Sequence, residues 1–231
     1  MSSLLIVLSV LSGLFGGGNT DPCADQERYA AATMARIKAE WPLRGSADPV
    51  SLYVQDLGER LARSSDAGHG IVPRFFILRN LEPNAFAVGG GRYVVTDGTF
   101  RLVNTESELA AVLAHELSHQ RAGHFCRRDT RDTKTFYVGS LVQHFDLNAE
   151  LEADAMAVEL LRRAGFDPAA MATVLRRIAA EAPAQRRKTL TERLKGLGDL
   201  GQSARARNDS PEFLDIRRQV ERDLPSGDGA K

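Results

Sequence analysis

Neither sign of charge prevails in this chain of 231 residues: lysine plus arginine and aspartate plus glutamate number 30 each, so no global field draws it to nucleic acid. Cysteine is almost absent. The two present, Cys23 and Cys126, allow one disulfide in an oxidising compartment, or else lone small thiols packed as apolar groups. Outside the amino terminus no stretch approaches the roughly 20 apolar residues that span a bilayer, and no internal repeat is present. Histidine numbers five, and that scarcity gives weight to two of them standing four positions apart.

Those two lie in His115-Glu116-Leu117-Ser118-His119. On a helix, residues four apart share a face, so both imidazoles can converge on one metal ion while Glu116 projects beside them, the pattern of a zinc hydrolase. The sequence supports a helix here. Thr105-Glu106-Ser107-Glu108 reads as a capping box, and Leu109, Val112 and Leu113 follow at helical spacing as a core-facing stripe. Catalytic zinc usually takes three protein ligands, so a third must come from elsewhere. Downstream, Glu150 and Asp154 share a face of a second helical run reaching Gly165. One carboxylate could bind the ion while the other accepts the outer N–H of a ligand imidazole.

Several landmarks in order resemble the gluzincin zinc metallopeptidases of the CaaX-prenyl-protease and HtpX type, which include soluble bacterial envelope proteases. They are Tyr53-Val54-Gln55-Asp56-Leu57-Gly58, Asn84-Ala85-Phe86-Ala87 with its glycine turn and Tyr93-Val94-Val95-Thr96, Glu108 to Val112 leading into the histidine motif, and Glu150 to Asp154. The resemblance implies one zinc ion per chain held by His115, His119 and Glu150, with Glu116 as catalytic base and Asp154 as partner of a ligand histidine. It implies a zincin-like α+β fold, mainly helical, with a small sheet or hairpin beside the motif helix. Asn84, Ala85, Phe86 and Ala87 would lie on a strand that pairs with an extended polypeptide substrate. The metzincin pattern is excluded, since Ala122 and Phe125 stand where it needs glycine and histidine. His124 is similar to a histidine often carried at the end of the family's motif helix and is read as structural; His69 and His144 have no motif around them.

The implied activity is endopeptidase hydrolysis of extended or unfolded polypeptide in envelope protein quality control, Glu116 taking the proton of the attacking water and passing it to the leaving amine. The family's His-Pro before a late arginine is missing. If Arg193 matches that arginine, it is a candidate for stabilising the transition state, with Arg187 in the histidine's place. That departure keeps a second reading open, a zinc-stabilised chaperone-like binding module. The short interval from His119 to Glu150 leaves little room for the membrane hairpins of integral-membrane relatives, which disfavours a prenyl-protein substrate.

Ser3 to Phe15 is almost wholly apolar, too short for a comfortable membrane span but suited to a signal-peptide core, and a glycine-rich break follows. Export is the expectation, periplasmic or anchored at the membrane. No lysine or arginine precedes Arg28, so an uncleaved anchor associated with a membrane, or a buried helix, stays open. The division expected is 1–24 signal or anchor segment and linker, 25–200 metallopeptidase domain, and 201–231 carboxyl-terminal helix and disordered tail. Oligomeric state is not legible. Helices are expected over 24–40, from Pro49 to Arg63, from Glu150 to Ala164, from Asp167-Pro168 to Glu181, and after Asp209-Ser210-Pro211. A strand is expected over Arg74 to Leu78, and a hairpin over Ala85 to Val88 and Arg92 to Thr96.

Overall fold

The computed structural model describes residues 26–64, 72–126, 145–200 and 209–223. The apolar amino-terminal segment, Cys23, His69, His144 and the tail beyond 223 lie outside the described residues.

The elements are α1 (Gln26–Glu40), α2 (Pro49–Arg63), β1 (Arg74–Leu78), β2 (Ala85–Gly89), β3 (Arg92–Thr96), α3 (Thr99–Leu102), α4 (Glu106–Arg121), α5 (Leu147–Ala164), α6 (Ala169–Glu181), α7 (Ala184–Leu197) and α8 (Pro211–Asp223). This is an α+β arrangement, mostly helical with one three-stranded sheet. Among the described residues no helix is long and apolar enough to cross a membrane.

The sheet runs β1-β3-β2, with β1 parallel and β2 antiparallel to β3. Gly90 and Gly91 turn β2 into β3 with φ of 57° and 72°, a backbone hand that costs a side chain but not glycine. The outer edge of β1 is covered. Leu43 bridges Leu78, and the amides of Arg44 and Arg79 donate to the carbonyls of Ile77 and Pro42, each at 2.8 Å. β2 forms the other edge. The Thr96 amide donates to the Asn84 carbonyl at 2.9 Å, so the alternation of an antiparallel ladder turns the main-chain groups of Ala85 and Ala87 away from β3.

α2 starts at the Asp48 cap with Pro49 in its first turn and buries Val50, Val54, Leu57 and Leu61 at helical spacing. Gly58 lets it approach β1 closely. α4 begins at the Thr105 cap, whose hydroxyl accepts from the Glu108 amide. The expected stripe understates its burial: Leu109 and Leu113 are buried, but so are Ala110, Ala111, Ala114 and Leu117 on other sides. Three alanines let neighbouring helices close around the rod, so it lies inside the molecule. α5 starts three residues before Glu150, because the Asp146 carboxylate accepts from the Ala149 amide and moves the cap forward. It ends at Gly165, with φ 79°. α8 sets Phe213, Ile216 and Val220 into the same core as α2 and α4. Its last residue, Asp223, accepts from Arg44, a buried guanidinium that also binds Asp97 at 2.7 Å.

Candidate metal centre

Helix α4 carries His115, Glu116 and His119 through the middle of the molecule, and α5 crosses it with Glu150 and Asp154. His115 Nε2 and His119 Nε2 are 3.0 Å apart, and the Glu150 carboxylate oxygens lie 3.5 Å from the first and 3.6 Å from the second. Two donors about 2.1 Å from one tetrahedral ion stand about 3.4 Å from each other. The three groups therefore fit one small divalent cation, and they are the group of metal-binding type found among the described residues.

The supporting contacts hold these groups in orientation. Asp154, buried, accepts from His115 Nδ1 at 2.9 Å, which puts the proton of that ring on the far nitrogen and turns Nε2 toward Glu150. Arg193 donates through Nε and Nη2 to both oxygens of Asp154, at 2.8 and 2.7 Å, and through Nη1 to Glu150 at 2.6 Å. Its guanidinium is thus engaged by carboxylates at the site. Arg187 turns elsewhere, donating to the Ala182 carbonyl.

Charge at the site is finely divided. Burial raises the Glu116 carboxyl to about 7, with Glu150 adding to the effect, while His115 and the Ala87 amide oppose it. Burial and Arg193 disfavour a charged His115, yet its hydrogen bonds to Asp154 and Glu150 prevail and raise it to about 10. Burial likewise works against the Glu150 anion, but His115 and Arg193 hold it down at about 2. His119 is pushed well below the ordinary histidine range by burial and by His115.

Glu116 is aimed by the sheet. Its Oε2 accepts from the Ala87 amide at 2.8 Å, one of the outward groups of the β2 edge. Ala85 and Ala87 thus border the site through their backbone, whereas Phe86 packs on the opposite face with Met34, Ile37 and Val94, and Asn84 stands just before the strand. A cavity of about 340 Å³ opens beside these groups. Leu102, Val112, Met171, Val174, Leu175 and Ile178 give it an apolar wall, and α6 supplies four of them.

His124 is nearer the site than its reading as a helix-end residue implies. Gly123, at φ 69°, ends α4: its amide donates to the Gln120 carbonyl and that of His124 to the His119 carbonyl, at 3.2 and 3.1 Å. This closure brings the side chain after the glycine back against the one five positions earlier. His124 Nδ1 lies 2.9 Å from His119 Nδ1, and its Nε2 3.3 Å from Glu152. Phe145 stacks on His119 at 4.1 Å and was also not anticipated. The sequence signal for His124 was Gly123 before it; Phe145 had none. Cys126, two residues after His124, is disulfide-bonded.

Residues 50–142 match the model of peptidase family M48, a span that contains the histidine pair but ends before Glu150. The chain is 34% identical over 176 residues to the beta-barrel assembly-enhancing protease of Escherichia coli (strain K12), covering 61% of this chain and 36% of that one. It is 32% identical over 177 residues to the mitochondrial metalloendopeptidase OMA1 of Schizosaccharomyces pombe, covering 67% and 52%. Metalloprotease LoiP of Escherichia coli (strain K12) is 26% identical over 180 residues, covering 68% and 66%. The chain thus spans about a third to two thirds of these relatives.

Proposed function

From the premise that the chain belongs to peptidase family M48, we propose that it is a zinc-dependent endopeptidase acting on extended or unfolded polypeptides, with a zincin-like site. His115, His119 and Glu150 hold the ion, one per chain, and Glu116 is the base. The observation that carries this is the convergence of two imidazole nitrogens and a carboxylate beside a second, half-buried carboxylate, Glu116, that is aimed by the Ala87 amide.

When bound, zinc supplies Lewis acidity, making water a better nucleophile and a carbonyl a better electrophile. Glu116 takes the proton of the attacking water on a carboxylate oxygen and returns it to the leaving amine nitrogen; a carboxyl raised to about 7 can do both near neutrality. The Ala87 N–H aims that carboxylate, and Arg193 keeps Glu150 and Asp154 ionised and in place. An extended substrate adds to β2 through the outward groups of Ala85, which recognise main chain irrespective of side-chain sequence. The apolar wall beside the ligands favours a bulky apolar side chain next to the scissile bond.

Work in envelope protein quality control is supported by the apolar segment over residues 3–15 and by likeness to a relative named for β-barrel assembly. The test is cleavage of unfolded casein by the purified chain, with and without a chelator. Chelator-sensitive cleavage, restored by zinc, is the expected result. Stoichiometric zinc with no cleavage of any unfolded substrate would favour the binding-module reading instead.

A further inference from the structure

We propose that His124, backed by Glu152, is a positioning residue that sets the tautomer and orientation of His119, so that its Nε2 presents a lone pair to the metal ion. The inference rests on the metal-site reading above and extends it to residues outside the motif.

Proton bookkeeping carries it. Two ring nitrogens 2.9 Å apart, His119 Nδ1 and His124 Nδ1, can be bonded only if one donates and the other accepts. An ionised carboxylate only accepts, so Glu152, 3.3 Å from His124 Nε2, places the proton of His124 on that nitrogen. His124 Nδ1 is then an acceptor. The remaining solution for a neutral His119 and His124 puts the His119 proton on Nδ1 and leaves its Nε2 bare, 3.0 Å from the Nε2 of His115.

The two ligand histidines are thereby matched. Asp154 orients His115 directly, and Glu152 orients His119 through a second imidazole. The difference follows from the fold. Asp154 faces His115 from α5, whereas the far side of His119 is reached by the glycine closure of its own helix, which returns His124 onto it. His124 has no solvent exposure, and Phe145 packs against both rings, so neither imidazole can swing freely to another partner. Outer partners of this kind typically alter metal affinity about 10–100-fold when removed.

The experiment measures zinc affinity of the full chain by competition with a chromophoric chelator, alongside thermal unfolding of the metal-free protein. His124→Phe keeps the ring stacking and removes the acceptor; His124→Asn keeps an acceptor near the position of Nδ1. Affinity should fall about 10–100-fold in His124→Phe and recover in large part in His124→Asn, while the metal-free midpoints stay together. Glu152→Ala, at a half-exposed position where folding is not at risk, should shift affinity in the same direction by less. Nitrogen NMR of the zinc-loaded parent should show His124 protonated on Nε2 and unprotonated on Nδ1. Parental affinity in both His124→Phe and Glu152→Ala, or a His124 proton on Nδ1, overturns the positioning role. A parent that binds no zinc, or a His119→Ala variant that binds it as well as the parent, overturns the metal-site reading and this proposal with it.

Discussion

A carboxylate that serves as base while its neighbours bind the ion can be altered without emptying the site. Glu116→Gln preserves size and the bond from the Ala87 amide but cannot take a proton, so it should retain zinc and lose about two to four orders of magnitude in peptidase rate. Metal analysis and casein turnover on the same preparation check this. His115 permits a second prediction. Its proton is held up to about 10, so at pH 7 the ring is charged, and a cation can bind only as that proton leaves. Zinc uptake should release about one proton, and affinity should rise with pH until it levels near 10; calorimetry in buffers of different ionisation enthalpy reads both. The histidine pair was legible because helical spacing alone puts both on one face, and Glu150 because it opens a second helical run and matches a landmark of the resembling family. His124 was read as structural, and its contact with His119 was not legible. Its meaning depends on a left-handed glycine reversing the chain, a three-dimensional event that spacing along a continuous helix does not describe.

Single contacts decide how elements meet. A Cβ on Gly58 would stand 2.0 Å from the ring of Phe75, which is stacked on Tyr93 at 4.9 Å and buried in the sheet. Alanine gains up to about 1 kcal/mol over glycine in a helix, but forced overpacking costs about 1–3 kcal/mol, so the clash prevails. Gly58→Ala should lower stability by about 1–2 kcal/mol, seen as an earlier urea midpoint with an unchanged slope. Two helix starts with a side-chain cap, α2 at Asp48 and α4 at Thr105, agree with the sequence reading to within a residue, whereas α5, capped at Asp146, begins three residues early. The parallel pairing of β1 with β3 does not appear there, since strand order rests on long-range packing. The bounds of α7 also escaped: polar residues surround Leu190, its one fully buried position, and leave a faint period.

Across the whole molecule, the proposed metal ligands join α4 to α5, and a bound ion should therefore stabilise the entire fold. At a free zinc concentration a thousandfold above Kd, mass action contributes about 4 kcal/mol. A chain of this size shifts by about 2–4 °C per kcal/mol, so a chelator should lower the thermal midpoint by roughly 10 °C, and scanning calorimetry would register it. An unchanged midpoint would mean that the ion is not held between those helices. The covered edge of β1 acts on the same scale. With residues 42–44 laid along that strand, the described sheet can accept another strand only at β2, beside the ligands. Two copies joining through their sheets would have to do so there, each shutting the other's cleft. If substrate adds to β2 as proposed, crowding would make this protein its own competitive inhibitor rather than a fibre, and polypeptide bound in the cleft would keep the copies apart.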